Sequence, residues 1–312
     1  MASLSLLHNQ YQPKKINISL AYDLYPLLRI QDWLEKSPSG PLVYRETRAQ
    51  ELTEVLWSHP QSPWKDRINM LGDKKGGDVT QASFIRSLLA SYVKRGTPIG
   101  GLFGDELTKK MGDILQWSRV KQSAFLLVVW RRMEDAIREC NEPWTQSLRG
   151  QIVQERLPLE DQGDHKLDPA FAGGYSLLAT DQGVRGVMQV TNDMCFLGAG
   201  QLGLSKWMLL EDISEDALDI DSVSSAVDSL EQHQINMFLM AICRQLAKFD
   251  WRTSSAPGVF DNEPLRRAQM VYKGSSGYKE LRQQLINLLC KSEDKLIQAT
   301  AIRIKDFLGY RI

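Results

Sequence analysis

The feature that most constrains this chain is a long run of helical periodicity. From Asp105 to Glu139, the apolar residues Leu107, Met111, Leu115, Phe125, Val129, Met133 and Ile137 fall on the inner side of one long helix, or of two in series. Shorter stretches repeat the pattern. Arg45 to Trp57 reads as a helix ended by the prolines of Ser58 to Pro63, and Thr80 is a predicted N-cap for a helix carrying Phe84, Ile85, Leu88, Leu89 and Tyr92. Ile235 to Phe249, Tyr278 to Leu289 and Lys295 to Leu308 complete the set. The fold class expected is mainly α, a multi-helix domain with a few short strands.

Other stretches are less decided. Residues Asn17 to Lys36 have near-helical spacing interrupted by Pro26. Gly76-Gly77 suggests a hairpin or a loop, and SLLATDQGVRGVMQVTNDMCF, ending at Phe196, is equally compatible with helix and strand. The polar, turn-rich stretch 151–174 divides the chain into an N-terminal helical region, 1–150, and a C-terminal helical region, 175–312, with 151–174 as a linker or exposed loop.

With 312 residues, 43% of them hydrophobic and 24% charged, the chain can bury a core and stay in solution. Lys plus Arg equals Asp plus Glu, so no global charge draws it to nucleic acid or membrane. Locally the balance fails. Glu211 to Glu231 is purely acidic, and Arg266 to Arg311 carries an excess of bases. The cysteines Cys140, Cys195, Cys243 and Cys290 lie too far apart in sequence for a CxxC pair, and His8, His59, His165 and His233 show no metal-ligand spacing. Neither a metal nor a cofactor is expected. No apolar stretch approaches a membrane span, Ala124 to Trp130 being the longest, and the N-terminus lacks a signal-peptide pattern. The expectation is a soluble, cytoplasmic chain with reduced thiols and no membrane partner.

Three segments carry candidate chemistry. In KGSSGYKELR, Lys273 to Arg282, two glycines allow a tight turn before a helix, whose first amides and dipole suit an anion. Lys273, Gly274, Ser275, Ser276, Lys279 and Arg282 are the candidate phosphate or nucleic-acid contacts there; a flexible loop capped by Ser276 or Gly277 fits as well. In DQGVRG, Asp181 and Arg185 form a candidate cleft pair, or a buried ion pair tying helices together. Lys14, Lys15 and Asn17 stand before a helix, where they can meet a phosphate or cap it. Arg67 stands beside Lys65 and Trp64, the tryptophan expected to stack on a base. No Walker-type phosphate loop and no nucleophile elbow occurs, so no catalytic residue is assigned.

Four stretches together resemble the C-terminal half of DGQHR-domain proteins, the DndB-like components of bacterial DNA-modification systems. They are NQYQPKKINISLAYDLY (Asn9 to Tyr25), HPQSPWKDRINMLGDKKGGDVTQASFI (His59 to Ile85), LLATDQGVRGVM ending at Met188, and FDWR (Phe249 to Arg252) followed by KGSSGYKELR. The D-G-Q-H-R string itself is absent, and the chain reads as beginning just after it. The resemblance implies the helical part of a split protein related to the ParB and sulfiredoxin fold. It implies an accessory or regulatory role in DNA modification or phage defence, binding DNA or a partner enzyme without catalysis of its own. Two alternatives are a subunit that completes a split DGQHR-domain protein, which makes a protein partner or homo-oligomer expected, and an enzyme binding a nucleotide or phosphate.

Overall fold

The computed structural model describes residues 40–70, 79–93, 99–103, 117–155, 168–209, 218–274 and 276–310, with backbone alone at 40–44 and 151–155. Among them are eleven α-helices: α1 (Gly40–Ser58), α2 (Gln81–Leu89), α3 (Arg119–Glu139), α4 (Pro143–Glu155), α5 (Pro169–Ala172), α6 (Asp181–Leu202), α7 (Ile220–Gln232), α8 (Gln234–Leu246), α9 (Glu263–Met270), α10 (Gly277–Leu289) and α11 (Lys295–Leu308). Two-residue strands β1 (Ile68–Asn69) and β2 (Val79–Thr80) pair in parallel. A hairpin across Gly76-Gly77 would have paired them antiparallel; residues 71–78 themselves, like the segment Asn17 to Lys36, lie outside the described residues. The mainly α reading holds.

Local chemistry sets the helix starts. The Thr80 hydroxyl accepts from the Ser83 amide and caps α2, as expected, and Phe84, Leu88 and Tyr92 are fully buried. Ser118 caps α3 through the Lys121 amide; the Asp105 end of the expected long helix lies outside the described residues. Asp294 caps α11 through the Leu296 and Ile297 amides.

Two helices organise the packing. In α3, every residue from Ala124 to Trp130 is inaccessible to solvent, as an apolar run without polar breaks requires. It is enclosed by α1, α5, α7 and α8, while α6 is enclosed by α2, α10 and α11. Helix α2 joins the groups by packing on both α1 and α6, and α8 does so by contacting α3, α6 and α10. Residues of the N-terminal region, 1–150, and the C-terminal region, 175–312, therefore share one core running from Ala49 to Ile304. At the end of the 151–174 stretch, α5 buries Phe171, and Arg149 grips its capping residue Asp168 at 2.7 Å.

Trp64 lies at the centre of this core. It is 1% exposed and packs edge-on against Phe84 and Trp130 at 5.0 and 5.1 Å, with Phe171 at 5.5 Å. It is therefore unavailable to stack on a base, a correction that follows from the area an indole gains by burial.

Candidate functional site

The ambiguous segment around Gly183 is the first part of α6. Thr180 caps it, its hydroxyl accepting from the Gly183 amide at 3.2 Å. Gly183 has no room for a side chain, because a Cβ there would stand 1.9 Å from the Leu177 carbonyl oxygen. Just upstream, Ser176 and Arg252 form an antiparallel bridge, and the Thr253 amide donates to the Tyr175 carbonyl at 2.8 Å. The FDWR stretch is thus tied to the start of α6.

Helix α10 begins at the same place. Its leading loop turns at Gly274, whose φ of +82° favours glycine, and Ser276 precedes the helix without a side-chain cap bond. The Gln182 amide donates to the Gly274 carbonyl at 3.3 Å. One turn on, the Arg185 guanidinium lies over the Tyr278 ring, 4.2 Å from its centre. At Gly186 a Cβ would meet Leu281 at 2.7 Å, so the helices approach closely there. Further down, Arg282 donates through Nε at 2.8 Å and through a terminal nitrogen to Asp193. The contacts progress in the same direction along both helices, which are therefore parallel, with their positive ends side by side. Arg86 of α2 reaches Asp181 at 3.8 Å, an exposed pair that contributes little to stability.

This arrangement brings together the DQGVRG and KGSSGYKELR segments, although not in every detail expected. Asp181 and Arg185 are not a pair: one faces Arg86 and the other Tyr278. Arg282 is engaged by Asp193, which is wholly buried, and only 14% of the Arg282 side chain is exposed. It closes the helix pair internally and does not offer its fork to an outside phosphate. Lys273, Ser276 and Lys279 are exposed at the mouth, beside Gly274. Arg67 belongs elsewhere, against Glu134 of α3, whose carboxyl burial raises above its usual range while Arg138 and Arg67 oppose the rise. Lys14, Lys15, Asn17 and Ser275 lie outside the described residues.

Family models, curated proteins and solved structures were all compared with the chain, and none matched.

The geometry adds residues that sequence reading passed over: Arg86, Tyr278, Gln189 and Asp193. With helix and strand undecided from Ser176 to Phe196, the spacing of Gln182, Arg185, Gln189 and Asp193 carried no meaning; on a helix it is a polar stripe. Part of the acidic segment lies among the described residues. Asp219 caps α7, and Glu231 pairs with Arg131 and Arg132 of α3 at 3.2 and 2.6 Å, so those two acids serve their own surroundings. Among the described residues no group of three or more metal-ligating side chains gathers, and no helix is long and apolar enough to cross a membrane.

Proposed function

We propose that this chain is an accessory or regulatory component of a bacterial DNA-modification or phage-defence system, binding DNA through its backbone, a partner enzyme, or both, without turning over a substrate itself. One observation carries the reading. Stretches that resemble DGQHR-domain proteins at separate places in the sequence converge: FDWR bridges to the start of α6, and the loop of KGSSGYKELR meets DQGVRG. Exposed Arg86, Lys273 and Lys279 stand at that convergence with Asp181 and Glu280, next to two helix amino ends. Such a surface suits phosphate, and phosphate contacts fix position without reading sequence.

Duplex binding tests the reading. Replacing Lys273 and Lys279 with glutamine should weaken binding about equally for all sequences and make the log-log salt dependence shallower by roughly 0.9 for each phosphate no longer neutralised. Unchanged affinity and slope would remove DNA from the proposal and leave a protein partner. The isolated chain should also show no ATP hydrolysis; turnover abolished by changing Arg185 or Lys273 would establish an enzyme instead.

A further inference from the structure

The seam between α6 and α10 contains polar atoms without a hydrogen-bond partner among the described residues. Gln182, Arg185, Gln189 and Asp193 follow one another at helical spacing on α6. Arg185, one turn before Gln189, contacts Tyr278 of α10, and Asp193, one turn after it, contacts Arg282 of α10. Gln189 therefore faces the same seam. It is 6% exposed, and its Oε1 is sealed from solvent with no hydrogen-bond partner among the described residues. Arg185 shows the same peculiarity. Its Nε is buried without an acceptor among the described residues, while the guanidinium lies over the Tyr278 ring. Buried polar groups in folded proteins are as a rule satisfied, so an open donor and an open acceptor one turn apart on this face of α6 mark where a bound polar group would complete the hydrogen bonding.

We infer that the seam binds a phosphate monoester, the terminal phosphate of a nucleic-acid strand or of a free mononucleotide. The inference rests on reading this surface as phosphate-contacting and adds the class of ligand. A guanidinium lying against an aromatic ring can offer two parallel N–H donors to phosphate oxygens. A half-turn of the Gln189 amide puts its N–H donors where the oxygen now stands. Lys273 and Lys279 are exposed at the entrance. Between two helices, a terminal phosphate with a single ester bond is accommodated more readily than a phosphodiester whose chain continues on both sides.

The test uses the whole chain and one labelled single-stranded oligonucleotide carrying either a 5′-phosphate or a 5′-hydroxyl. The phosphorylated form should bind about tenfold tighter or more, a difference that corresponds to about 1.4 kcal/mol. AMP competing as well as the phosphorylated strand identifies free nucleotide as the source; AMP failing to compete identifies the strand end. Gln189→Leu keeps the volume and removes the open amide, so it should abolish the preference without lowering the thermal midpoint. Arg185→Lys, which keeps the charge and loses the fork, should do the same and carries the test if the leucine variant does not fold. Equal affinity for both ends, or a preference that survives these substitutions, overturns the inference. If the preference fails while duplex binding still depends on Lys273 and Lys279, only the seam site falls. A preference for the phosphorylated end without duplex binding leaves the seam site standing and removes the DNA-backbone reading.

Discussion

At His59 a single ring couples the turn after α1 to the start of α7. Its Nδ1 accepts from the Gln61 amide at 3.2 Å, and its Nε2 lies 3.2 Å from the Ser224 hydroxyl and 3.4 Å from the Ile220 carbonyl. Burial, with Arg131 nearby, holds its pKa below the usual 6.5, although the Ile220 carbonyl opposes this. The folded state resists protonation while the unfolded chain takes up a proton near the ordinary value, so stability is full above pH 6.5 and falls as pH drops below it. His233, lowered by burial, acts in the same direction. Thermal midpoints should fall on acidification, and less steeply in His59→Gln; equal slopes would refute the role given to His59. The buried Asp193 with Arg282 makes a second residue-scale prediction. Asp193→Ala strands a guanidinium and should cost about 3–5 kcal/mol in urea unfolding, with Arg282→Met in the same chain restoring much of it. Thiol chemistry follows burial too. Cys243 is pushed up to about 12 and Cys195 higher still, so alkylation at neutral pH should reach the half-buried Cys140 and Cys290 first.

Helix α6 shows how the same residue type acts oppositely along one element. At Gly183 a methyl group would run into the Leu177 carbonyl, and Gly183→Ala should destabilise by more than about 2 kcal/mol because backbone cannot yield. Gly200, exposed on the same helix, has nothing within 4 Å of a would-be Cβ. Gly200→Ala should therefore stabilise by about 0.5–1 kcal/mol through backbone entropy alone. Chemical denaturation of the two variants checks both signs. If Gly183→Ala proves neutral, the close contact between the start of α6 and the preceding turn is not as drawn.

For the molecule as a whole, the interlocking of α3 with α7 and α8, and of α2 with α6, makes one core of two sequence regions. Unfolding should accordingly be a single transition, with calorimetric and van 't Hoff enthalpies in agreement. Two transitions would mean that the regions on either side of 151–174 fold independently. Trp130, wholly buried between Trp64, Phe84 and Phe171, should cost about 3–5 kcal/mol on truncation to alanine and lower that one transition without splitting it.

What the sequence determined by itself was local. The spans from Tyr278 to Leu289 and from Lys295 to Leu308 and the Thr80 cap were legible because periodicity and capping are settled within a few residues of chain. Both segments of the candidate site stood out for the same reason, as glycine-rich turns beside bases. Their meeting was not legible. Gln182 finds Gly274, and Arg282 finds Asp193, only because α6 and α10 pack in parallel, and residues so far apart carry no mark of each other in sequence. The same limit explains Trp64, whose neighbours Phe84, Trp130 and Phe171 come from three other elements. It explains Arg282 as well, since a surface base and half of a buried ion pair look alike until the partner is in place. Capping and periodicity act through the nearest turns of backbone; burial and charge pairing depend on which surfaces the whole chain brings together, and that was decided by the tertiary fold.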